Sequence, residues 1–168
     1  MPDLSLRLAD TADRPTVERL WLMFSHDMSE FHGHLPNPDG TFRDERLHQA
    51  FDDPDWAPYL LTTDTDRPIG FAFVRDLAGP TRILNSFFIA RGARRSGLGL
   101  HAVHQLTTRH PGPWQVAFQD ANTPAAHFWR TAATHLAGPT WTETHKPVPG
   151  RPDLPPDVWI SFTTPPQA

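Results

Sequence analysis

The sequence predicts an α+β fold: a mixed, mostly antiparallel sheet of six to seven strands flanked by about four helices. Three observations carry this. Runs 58–63, 69–75 and 81–90 are strand-like and are separated only by the turn formers Asp64-Thr65-Asp66-Arg67 and Leu77-Ala78-Gly79-Pro80, so they read as an antiparallel meander. A further strand, 114–118, follows a helix-like stretch, which makes it parallel to its predecessor. Finally, Val17, Leu20, Trp21, Phe24 and Met28 recur at helical spacing and form one apolar stripe, as a surface helix laid on a sheet requires.

Taken in order, Leu4-Ser5-Leu6-Arg7-Leu8 alternates like a half-buried strand. Thr11 and Asp13 are capping candidates before a helix with Pro15 in its first turn and an end near Ser29. Residues 31–41, rich in Gly, Pro, Asn and Asp, read as a loop, and 43–51 as a short second helix. After the three-strand meander, residues 100–110 form a third helix, 114–118 a strand, and the stretch opening at Asn122 a fourth helix. Segments 140–145 and 158–163 close the sheet, joined by the proline-rich loop 146–157. No internal repeat is present.

At 168 residues the chain suits one domain, 1–168, able to bury roughly two thirds of its unfolded surface. The absence of cysteine removes disulfides, thiolate metal sites and a cysteine nucleophile. No apolar run approaches the roughly 20 residues needed to span a bilayer, and Met1-Pro2-Asp3 is acidic where a secretory signal is basic, so a cytoplasmic, membrane-free protein is expected. A formal charge of −4 argues against nucleic-acid binding, which needs clustered basic surface.

The most informative six residues are Arg94-Arg95-Ser96-Gly97-Leu98-Gly99, between a strand and a helix. Glycines spaced by one residue let the backbone turn tightly and approach a ligand, while the N–H groups of the starting helix face any bound phosphate. Gly-x-Gly alone is common in ordinary loops. Its context is not: Arg-x-x-Gly-x-Gly on Arg94, Gly97 and Gly99, followed downstream by Asn122, Ala125, Phe128 and Trp129 in a helix-opening pattern, resembles the coenzyme A signature of the GNAT superfamily of N-acetyltransferases. The wording from Phe87-Phe88-Ile89 to Phe128-Trp129 is most similar to small bacterial predicted acetyltransferases without an assigned substrate.

The resemblance implies a GNAT fold, acetyl-CoA as cosubstrate, and a small-molecule amine as partner, with a homodimer allowed. By resemblance, backbone groups of Phe88, Ile89 and Ala90 grip the pantetheine arm, Arg94 to Leu100 cradle the pyrophosphate, and Asn122, Phe128 and Trp129 complete the cofactor site. Asn122 equally suits a helix N-cap, and the two roles are compatible. Either Arg94 or Arg95 could be a solvated turn residue; Arg94 matches the motif.

The chain departs from the family at three places. Trp129 stands where a Tyr general acid is common, and an indole N–H cannot supply a proton. Ser86 stands where many relatives carry Glu and is no base unaided. Ala133-Thr134 replaces the usual Gly-Phe, so that corner should pack differently. The base must then come from elsewhere, and His26, Asp27, Glu30, His32 and His34 cluster where the family's acceptor pocket is overhung. Glu30 and His26 are the candidate bases; Asp27, His32 and His34 are candidate substrate contacts, the carboxylates steering a cationic amine. A polar helix end with solvated histidines is the competing reading. His127 and His145 are secondary candidates. Histidines six and two apart across Gly33 match no compact ligand motif, so no metal is expected.

The activity this reading predicts is direct acetyl transfer from acetyl-CoA to a primary amine of a small molecule. Acylation of a protein or peptide amine is an alternative, as is an acetyl-CoA-binding sensor without turnover.

Overall fold

The computed structural model describes residues 4–166; Met1-Pro2-Asp3 lies outside them. Seven strands form one sheet in the order β1-β2-β3-β4-β5-β7-β6: β1 (Leu4–Leu8), β2 (Ala57–Thr63), β3 (Pro68–Arg75), β4 (Arg82–Ile89), β5 (Gly112–Gln119), β6 (Thr142–Lys146) and β7 (Asp157–Thr164). Every pairing is antiparallel except β4 with β5, the strand-helix-strand unit anticipated from sequence. The helices are α1 (Arg14–His32), α2 (Glu45–Asp52), α3 (Leu98–Arg109) and α4 (Thr123–Ala137).

Strand alternation divides the core. Val17, Leu20 and Trp21 of α1, with Leu47 and Ala50 of α2, bury against Leu60, Phe71, Phe73 and Phe88 on one face. Trp21 stacks on Phe73 at 5.8 Å, and its indole N–H donates to the Arg43 carbonyl, giving the polar end of a buried ring its partner. On the other face α3 and α4 cover Leu84, Trp114, Val116, Val158 and Ile160.

Three local expectations are corrected. The cap before the first helix is Asp10, which accepts from Ala12 and Asp13 N–H while the Asp13 carboxylate accepts from the Asp10 N–H; Thr11 does not cap, and a 3-10 turn precedes α1. α1 continues past Ser29 to His32, because Gly33 in the left-handed region (φ 71°) closes it by donating to the Ser29 carbonyl. Thr140 belongs to a 3-10 turn, not a strand. At the corner lacking Gly-Phe, α4 simply runs on: Ala133 is fully buried and Thr134 accepts the Trp141 indole N–H at 2.9 Å.

Asp13 also binds Arg7 through two hydrogen bonds of 2.5 and 2.9 Å, and this holds its carboxyl at about 2. A carboxyl depressed in the folded state stabilises above its unfolded value of 3.8, and that contribution is lost as pH falls toward about 2. Asp13→Asn is therefore expected to destabilise at pH 6, with the difference from wild type shrinking between pH 4 and pH 2 in urea titrations. A difference constant across that range would refute the pairing.

Candidate active site

The β4–β5 ladder has only three registered pairs, Arg82↔Trp114, Ile83↔Gln115 and Leu84↔Val116. Yet β4 continues to Ile89 and β5 to Gln119, so beyond Leu84 the strands splay and their facing backbone groups have no ladder partner. At the open end of this gap the chain turns through a 3-10 turn (Arg91–Ala93) into α3. Gly97, φ 79°, is the N-cap of α3, and no side chain caps it. The first-turn N–H groups, those of Leu98, Gly99 and Leu100, have no intrahelical acceptor and present a partial positive charge to an anion.

The two motif glycines do different work. Gly97 supplies the left-handed turn, and a Cβ there would meet open space. Gly99 lies inside α3, where a Cβ would sit 3.0 Å from the Phe128 ring, so it makes room for α4 rather than for a ligand. Leu98 is buried beneath the turn, Leu100 packs on the same core, and Ser96 Oγ donates to the Ala93 carbonyl. Arg95 takes a left-handed conformation (φ 67°) and is exposed.

Arg94 is held in place: Nε donates to the Ile89 carbonyl at 2.7 Å and Nη2 to Asp27 at 2.6 Å. Arg91 donates to the other oxygen of Asp27 at 2.8 Å. Burial pushes the Asp27 carboxyl up, but the bonds from Arg94 and Arg91 outweigh it and hold the group below the ordinary range. Both oxygens are thus engaged by arginines of the turn before α3. Asp27 fastens α1 to that turn. Arg91, which sequence reasoning missed, is found only through this fold contact.

His26 and Glu30, four residues apart, are exposed on the side of α1 opposite Val17, Trp21 and Phe24, so the expected bases are not brought to the strand gap. His32, the last residue of α1, and His34, just past the Gly33 cap, lie against each other at 3.9 Å, and the His34 N–H donates to His32 Nδ1. Burial, then the neighbouring His34 and Arg46, lowers the His32 pKa.

Asn122 is buried and is the N-cap of α4, its side chain accepting from the Ala125 N–H at 3.1 Å. Phe128 stacks on Phe87 of β4 at 5.9 Å. Trp129 is buried edge-on to Phe87 and Phe128 at 5.5 and 4.8 Å, a packing position. Ser86 is buried and donates to Asn85 at 3.0 Å.

The family model of the acetyltransferase (GNAT) family matches residues 18–133, a span that includes the gap, the turn and most of α4. The chain belongs to the GNAT family. The acetyltransferase is similar in structure to an acetyltransferase from Thermus thermophilus (TM-score 0.67, 16% identity, 97% of this chain and 99% of that one). It is also similar to the spermidine N-acetyltransferase from Vibrio cholerae solved with CoA and spermine (0.67, 13%, 96% of each chain). An aminoglycoside acetyltransferase in complex with coenzyme A matches at 0.66 with 19% identity, covering 96% and 95%. No curated protein matches the sequence. As a GNAT member the acetyltransferase is an acyltransferase with acetyl-CoA as cosubstrate. Among the described residues no cluster of three or more His, Asp or Glu could hold a metal, and no helix is long and apolar enough to cross a membrane.

Because Trp129 is packed among apolar rings, Trp129→Phe is expected to keep kcat within a few-fold while lowering stability by about 1–2 kcal/mol. Steady-state kinetics beside urea unfolding reads both. A fall in kcat of about 10² with stability retained, the size typical of losing an acid–base group, would give the indole a chemical role.

Proposed function

We propose that the acetyltransferase moves an acetyl group from acetyl-CoA directly to a primary amine of a small molecule, in the cytoplasm. The splay of β4 from β5 beside the uncapped start of α3 carries this reading. An extended arm laid in the gap can bond those backbone groups of the Phe88 to Ala90 segment that face β5, while its pyrophosphate meets the N–H groups of 98–100, with Arg95 as the exposed cation beside them. The thioester end then lies inside the gap, where a backbone N–H can stabilise the developing oxyanion. A thioester is already activated, so the protein has mainly to bring the amine close and remove a proton. Solved structures of like fold include enzymes named for spermidine, nourseothricin and phosphinothricin, all consistent with amine acceptors.

Calorimetry with acetyl-CoA, followed by thiol release on adding amines, tests the proposal. Binding followed by amine-dependent thiol release supports it. Binding without turnover on any amine leaves a sensor, and turnover only on peptide amines leaves a protein acetyltransferase.

A further inference from the structure

The end of β4 is held on one side by a side chain rather than by a strand. The Ala90 N–H donates to the Ile69 carbonyl of β3 at 2.7 Å. Successive residues of a strand turn their backbone groups to opposite neighbours, so those of Ile89 face the side from which β5 has splayed away. There the Ile89 carbonyl accepts the Nε–H of Arg94 at 2.7 Å, where a paired strand would have offered a backbone N–H. The same guanidinium lies over the Phe88 ring, 5.7 Å from its centre, and its Nη2 donates to Asp27 of α1 at 2.6 Å. One planar cation thus ties the strand end to the helix.

Asp27 is itself clamped. Its side chain is 11% exposed, and Arg91 donates to its other oxygen through Nε at 3.2 Å and Nη2 at 2.8 Å. Each arginine takes one oxygen, so the plane of the carboxylate is fixed and with it the place of the Arg94 guanidinium. Short charge-assisted bonds to a carboxylate shielded from water hold their geometry, whereas an exposed pair loses most of its attraction to solvent.

We infer that Asp27 is a positioning residue for acetyl transfer: through Arg94 it fixes the Ile89 carbonyl, and so sets the edge of the splayed gap that receives the cofactor's arm. This rests on the acetyl-transfer reading above. With its carbonyl occupied, Ile89 offers the arm its N–H, and the backbone there cannot rotate without stretching the Arg94 bond. An arm bonded at Ile89 therefore lies at a distance from α1 that the Asp27–Arg94 pair determines. Such control matters because misplacing a bound reactant by about 1 Å costs up to about 10² in rate.

The test uses the full chain and two probes: acetyl-CoA, and phosphoadenosine diphosphate, the nucleotide half of the cofactor, which carries the pyrophosphate without the arm. Calorimetry is expected to show Asp27→Asn binding acetyl-CoA about tenfold more weakly, while the nucleotide half stays within about twofold of wild type. Introduced into Arg94→Gln, the same change should cost nothing further, because Asp27 acts through Arg94. Arg94→Lys brings one nitrogen to two partners, so it should also lose acetyl-CoA affinity, and it reads the bracket even if Asp27→Asn fails to fold. Equal losses on both probes would assign Asp27 to the phosphates, and additive losses in the double variant would assign it to α1 alone. Either result overturns the inference, as does unchanged acetyl-CoA affinity in folded Asp27→Asn or in Arg94→Lys. Failure of the wild type to bind acetyl-CoA overturns the function beneath it instead.

Discussion

Gly70→Ala is expected to lower the melting temperature by roughly 6–12 °C, corresponding to about 3 kcal/mol in a chain of this size. A Cβ at Gly70 would lie 2.0 Å from the Phe88 carbonyl oxygen and 3.0 Å from its carbonyl carbon, distances that backbone atoms cannot relieve by a rotamer change. β3 and β4 must separate, or β4 must bend away, in the register where Gly70 faces Ile89. The Ala90 N–H to Ile69 carbonyl bond, 2.7 Å, closes the same corner and would be strained with it. Since Phe88 to Ala90 is the segment proposed to bond the pantetheine arm, acetyl-CoA affinity should fall in the same variant. Differential scanning calorimetry and a binding titration measure the two effects. A melting temperature within about 2 °C of wild type would mean that β4 yields at little cost.

Gly97→Val is expected to raise the acetyl-CoA dissociation constant by about tenfold or more, with a smaller loss of stability. The site has space for the side chain but not the backbone: φ of 79° is unfavourable for a β-branched residue. Relaxing it rotates the peptides that begin α3 and re-aims the N–H groups meant for the pyrophosphate. Gly99→Val acts differently, pushing on Phe128, which is stacked on Phe87. It should cost stability first and affinity second. Unchanged affinity in folded Gly97→Val would remove the turn from the cofactor site.

Much of this molecule was legible in the chain. The meander 58–90 could be read because short turns leave adjacent strands no topology but antiparallel pairing, and the parallel strand because a helix intervenes. The turn before α3 was legible because a left-handed Gly ahead of a helix is a local device that lies in contiguous residues. Helix ends were read less well. Asp10 caps through a reciprocal bond with Asp13, and α1 outruns its apolar stripe because Gly33, not polarity, ends it.

The acceptor side was the least legible. Clustering in sequence suggested that His26, Asp27 and Glu30 act together, but a helix turns successive residues to different faces. Asp27 consequently meets Arg91 and Arg94, 64 and 67 residues away, while His26 and Glu30 face outward. The sequence by itself determined the α+β class, the strand-turn-helix proposed to meet a pyrophosphate, and the GNAT membership those residues express, since each is encoded by neighbours in the chain. Which charges neutralise one another and which remain open to a substrate was decided only by the tertiary structure, because Coulomb interactions depend on distance in space and on burial, and neither is a property of sequence order.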